Sequence, residues 1–63
     1  MKLTKKLNLS PKEIAQYFIA PLDNDEVWEY TSSQEAWDDM CGEAGLALVR
    51  NNEVVAKFIL IIN

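Results

Sequence analysis

The chain contains no histidine and only one cysteine, Cys41. Histidine carries most general acid–base catalysis, and a closed structural zinc site wants about four Cys or His ligands. A disulfide within the chain is impossible. The lone thiol suits a reducing compartment, which points to the cytoplasm. Cys41 falls on the apolar side of a predicted helix near its end, where it reads as a small buried hydrophobe and not as a nucleophile. Glycine is scarce too: Gly42 and Gly45 are the only two, so no glycine-rich phosphate loop exists. Asp23-Asn24-Asp25-Glu26 has the start of a calcium loop but neither its turn glycine nor its final glutamate. Asp38 and Asp39 are sequence neighbours that point to different sides, so they do not form an acid–base pair. No cofactor or metal site is expected, and neither is an enzyme.

Long apolar runs are also missing. The longest, Phe58 to Ile62, is far below the ~20 residues of a membrane-spanning helix. Lys2, Lys5 and Lys6 are followed by a polar stretch, which a secretory leader would not have. With 63 residues there is room for one domain, residues 1–63, and a domain this small is marginal without help from an oligomer or a well-packed core.

Basic residues are absent from the whole middle of the chain. Between Glu13 and Val49 there is no Lys or Arg, while Asp23, Asp25, Glu26, Glu29, Glu35, Asp38, Asp39 and Glu43 all lie there. The net charge is −4. Such a surface repels nucleic acid and anionic membrane, and it attracts basic protein surfaces.

What is present reads as an α+β domain. Residues 2–8 alternate weakly, with Leu3, Leu7 and Leu9 on one side, and suit an edge strand protected by lysine. Ser10-Pro11-Lys12-Glu13 is a helix start: Ser10 caps, Pro11 takes the first turn and Glu13 closes a capping box. Leu9 and Ile14 form a hydrophobic staple. The helix is predicted to run to Ala20, burying Ile14, Tyr17 and Phe18, until Pro21 forces an exit. Val27–Thr31 is a strand with Trp28 and Tyr30 on one face and Val27 and Glu29 on the other. Ser32-Ser33-Gln34-Glu35 is a second capping box, and its helix runs to Cys41 or Gly42. Ala36, Trp37, Met40 and Cys41 form its apolar side, and Gly42 or Gly45 ends it in a left-handed conformation.

The last third is a hairpin turning at Asn51-Asn52, since Asn tolerates the positive φ of a type I′ turn. The order is (β)αβαββ: a small, mostly antiparallel sheet packed against two short helices. A regular register pairs Arg50 with Glu53, Val49 with Val54, Leu48 with Val55 and Ala47 with Ala56. One face then carries Ala47, Val49, Val54, Ala56, Phe58, Leu60 and Ile62 toward the helices. The other carries Leu46, Leu48, Val55, Ile59 and Ile61, broken by Arg50, Glu53 and Lys57. A two-layer domain covers one face of its sheet, which leaves Leu48, Val55, Ile59 and Ile61 side by side in solvent.

Two modes of action follow. In the first, the chain is a small acidic protein-binding modulator. Asp23, Asp25, Glu26, Glu29, Glu35, Asp38, Asp39 and Glu43 dock on a basic, nucleic-acid-binding surface of a target protein, in the manner of the nucleic-acid mimics among phage and mobile-element anti-defence inhibitors. Glu35, Asp38, Asp39 and Glu43 recur at helical spacing with no cation among them, an arrangement that costs helix stability. In the second, the chain is a self-associating structural or adaptor subunit, a homo-oligomer using Leu48, Val55, Ile59 and Ile61.

Overall fold

The computed structural model describes residues 1–63. Its elements are β1 (Lys2–Leu7), α1 (Pro11–Ile14), β2 (Glu26–Thr31), α2 (Gln34–Asp38), β3 (Glu43–Arg50) and β4 (Glu53–Ile62). The order matches that expected from the sequence. The four strands form one antiparallel sheet in the order β1-β2-β3-β4, so each strand pairs with its chain neighbour and β1 and β4 are the edges.

Local chemistry explains most boundaries. Ser10 caps α1, accepting from Glu13 N–H at 3.2 Å, while Ser10 N–H donates to the Glu13 carboxylate at 3.0 Å. Leu9 and Ile14 lie against the core on either side of this box. The α-helical part is shorter than expected. It stops at Ile14, and residues 15–20 continue as turns to Ala20, whose φ is 50°. Those turns seat Phe18 in the core and leave Ile19 in solvent.

α2 is also short. Ser33 caps it by accepting from Ala36 N–H, but Ser32 Oγ accepts from Glu43 N–H instead, so the second capping box does not close. The helix ends at Met40, not at a glycine. Met40 has φ 59°, Cys41 N–H donates to Ala36 O at 2.8 Å, and Met40 N–H donates to Trp37 O at 3.1 Å. This paired bond pattern is a Schellman stop. It leaves Met40 and Cys41 exposed, which corrects the reading of Cys41 as buried.

Neither glycine has a positive φ. Each serves close approach instead. A Cβ on Gly42 would meet the Trp37 indole, 2.8 Å from Cγ. One on Gly45 would meet the β4 backbone, 2.9 Å from Leu60 N and 3.0 Å from Ile59 Cα.

The turn Asn51-Asn52 has φ of 51° and 66°, as the hairpin reading requires. Arg50 pairs with Glu53 and Val49 with Val54. The ladder then slips by one residue between Leu48 and Val49, and again between Ala44 and Gly45. Leu48 therefore faces Ala56, Leu46 faces Phe58, and Ala47 faces Lys57. A bulge exchanges the faces of everything beyond it. Leu46 and Leu48 thus point toward Phe18, and with Val27 these make the core, flanked by Leu7, Leu9, Ile14 and Ala56. A similar slip in β1, between Leu3 and Lys5, puts Leu3 beside Tyr30 and Leu7 beside Val27, on opposite faces and not on one side as expected.

Candidate functional site

The eight acidic residues do not share a surface. Asp25 is buried and clamped by Arg50, whose Nε and Nη2 donate at 2.8 and 2.7 Å, while Leu22 N–H donates at 2.8 Å. The Arg50 hydrogen bonds hold the Asp25 carboxyl at about 2. That carboxylate is closed to any partner, and Arg50 turns to Asp25 instead of to its ladder neighbour Glu53. Glu26 accepts from Trp28 Nε1 at 3.1 Å and pairs with Lys6 at 3.1 Å, and both interactions lower its pKa. Glu43 lies in β3, beyond the end of α2. Its Oε2 accepts from Tyr30 OH at 2.6 Å and from Lys57 Nζ at 3.1 Å, and both lower its pKa. Burial, then the Glu43 bond, pushes the Tyr30 phenol up to about 12. Lys57 Nζ also lies 5.9 Å above the Tyr30 ring, within cation–π range.

These bonds close the sheet face opposite α1. Trp28 and Tyr30 share it, as expected, together with Ala47 and Val49. Glu29 is paired between Lys5 and Leu46, so it belongs to the other face, on the α1 side. Asp23 is exposed in the loop before β2. Glu35, Asp38 and Asp39 are exposed on α2, where no salt bridge reaches them. Asp39 caps the C-terminal end of α2, where negative charge is disfavoured. Asp39→Lys is therefore expected to raise the thermal midpoint by about 2–4 °C, read by circular dichroism, and a fall would contradict it.

The apolar surface is more concentrated than the acidic one. Of twelve large hydrophobic residues that are exposed, seven lie on β4: Val54, Val55, Phe58, Ile59, Leu60, Ile61 and Ile62, between 37% and 74% open. The predicted exposed set is rearranged by the two slips in register. Leu48 is in the core at 2% exposure. Val55 sits at the first slip. Ile59 pairs with Gly45, beside Tyr30, whereas Ile61 pairs with Ala44, beside Thr31. Ile59 and Ile61 thus lie on opposite faces of one strand.

On the α1 side, Tyr17 meets Phe58 edge to face with ring centroids 5.2 Å apart. Beyond that contact the face is uncovered, and a groove of about 310 Å³ opens between Thr4, Glu29, Ala44, Leu46, Leu60 and Ile61. The end of β4 is anchored all the same: Asn63 N–H donates to Gly42 O at 2.9 Å, and its side-chain amide donates to Trp37 O at 2.6 Å.

The molecule as a whole carries excess surface. It exposes 4618 Å², against the ~4100 Å² typical of a folded monomer of 7.2 kDa. Its radius of gyration is 12.1 Å, against ~10.6 Å for a compact domain of this length. No helix is long and apolar enough to cross a membrane. No family model, curated protein or solved structure matches the chain.

Proposed function

We propose that the chain is a self-associating structural or adaptor subunit that works by association through β4 and not by catalysis. The observation that carries this reading is the row of seven open apolar side chains on one edge strand. Soluble monomers protect such edges with charge, proline or a short strand. β1 follows that rule with Lys2, Lys5 and Lys6. β4 does not: it is ten residues long, and between Glu53 and its end it carries one charge, Lys57, which is already engaged by Glu43.

The carboxylates take a supporting part. Asp23, before β2, and Glu35, Asp38 and Asp39, on α2, lie at opposite ends of the sheet and give the molecule solvated, negative patches, which suits solubility for a protein with an adhesive edge. Docking on a basic target through all eight acids would need Asp25, Glu26 and Glu43 to give up the partners that fix the sheet.

Solution mass tests the proposal. At micromolar concentration the parent chain is expected to exceed the monomer mass, with little change in added salt. The double variant Ile59→Lys, Ile61→Lys is expected to be a monomer with an unchanged circular dichroism spectrum, because both positions are open and lie outside the core cluster. A parent chain that is strictly monomeric would remove this reading.

A further inference from the structure

We infer that the partner on β4 is a second copy of this chain, paired antiparallel, strand to strand, across a two-fold axis beside Phe58. The inference rests on the reading of β4 as the working surface and adds its occupant and geometry.

The first argument is that both sides of β4 are apolar and open. Phe58 and Ile61 belong to the face on the α1 side, and Ile59 to the other. A partner laid on one face of the sheet covers one group and leaves the other wet. Only a strand added along the edge meets both groups, and it also satisfies the outward N–H and C=O groups of β4.

Length and charge then select the second copy. β4 offers ten residues of edge with seven open apolar side chains, so two copies overlapped along their whole length engage the entire row at once. An antiparallel pair of identical strands requires an axis perpendicular to the sheet, and residues directly opposite must share a face. The axis therefore falls on a residue. Nearly full overlap of Glu53–Ile62 leaves Lys57 or Phe58. An axis at Lys57 sets two ammonium groups against each other, which is destabilising. An axis at Phe58 sets Lys57 beside Ile59 of the second copy, with its charge still on Glu43, and sets Glu53 beside Asn63. No like charges meet.

The product is an eight-stranded sheet with both α1 segments on one side. Its only free edges are the two β1 strands, each guarded by Lys2, Lys5 and Lys6, so addition stops at two copies.

The test is a disulfide at the axis. Phe58→Cys in a Cys41→Ser background places two thiols on Cα atoms about 4.5–5.5 Å apart, within disulfide reach. Mild oxidation is expected to convert most of this variant to a covalent dimer. Val54→Cys in the same background places its thiols roughly 25 Å apart and is expected to stay uncrosslinked. A second measurement uses the unmodified chain: β4 amides are expected to lose protection from hydrogen exchange on dilution, while β1 amides are unaffected. A dimer by mass in which the Phe58→Cys variant does not crosslink and β4 gains no protection overturns the pairing and leaves self-association standing. Assembly that grows past two copies overturns the closed arrangement. A strict monomer overturns both.

Discussion

Replacing Gly45 by Ala is expected to cost about 3 kcal/mol of folding stability, among the largest effects of any single methyl group added to this chain. Gly45 faces Ile59 at the point where the β3–β4 ladder slips. A Cβ there meets main chain, namely the Phe58 carbonyl, Leu60 N and Ile59 Cα. Backbone in a paired strand has no rotamer to yield with, so β4 must move away from β3. A domain of 63 residues holds only about 3–9 kcal/mol in total, so most of the margin goes. Gly42→Ala provides the contrast, because its Cβ meets the Trp37 indole, a side chain that can swing. It is expected to cost about 1–2 kcal/mol and to release the Trp37 bond to Thr31 Oγ1. Denaturant unfolding of both variants checks the order. A Gly45→Ala chain as stable as its parent would show that β4 does not pack this closely.

The second large effect concerns Asp25. Asp25→Asn replaces one of the two oxygens that accept from the guanidinium with an amide donor and removes the charge opposite Arg50, and breaking a buried ion pair from one side is strongly destabilising. At neutral pH the thermal midpoint is expected to fall by roughly 10 °C. The pH dependence has a definite sign. The folded Asp25 carboxyl lies at about 2, below its ordinary 3.8. Its contribution is therefore complete above pH ~4 and is lost as the pH falls toward 2. The gap between parent and Asp25→Asn should close over that window. Glu26 and Glu43 are shifted in the same direction and remain in both chains, so both still weaken in acid. A gap that stays constant from pH 7 to pH 2 would contradict the assignment.

Local chemistry is legible in the sequence wherever one residue type meets one geometric need. The Ser10–Glu13 capping box, the Asn51-Asn52 turn and the division of β2 into a Trp28/Tyr30 face and a Val27/Glu29 face all follow from neighbours within four positions. The strand order and the presence of two helices follow from these. Register does not. A bulge adds one unpaired residue without a composition of its own, and two of them move Leu46 and Leu48 to the core and separate Ile59 from Ile61.

The glycines mislead for a related reason. They look like helix stops, but what they make room for is Trp37 and β4, and the β4 backbone is distant in sequence. Met40, with no special tolerance for positive φ, ends α2 because the paired bonds of that turn require it. The acidic set is opaque in the same way. Asp25 and Arg50 are 25 positions apart, and Glu43 and Lys57 are 14 apart, so nothing local shows that these carboxylates are already taken. What remains visible is the C-terminal apolar strand, although which side of it is open depends on the slips.

Those slips make the hairpin behave like a reading frame. Between the Asn51-Asn52 turn and Asn63, the side on which each residue emerges depends on the count of residues before it. Were Val55 to pair with Leu48, so that the first slip closed, Phe58 would move to the Tyr30 side and Ile59 to the α1 side, without changing the hydrophobicity of either position. A segment built this way accepts exchanges of similar side chains far more readily than a change of length by one.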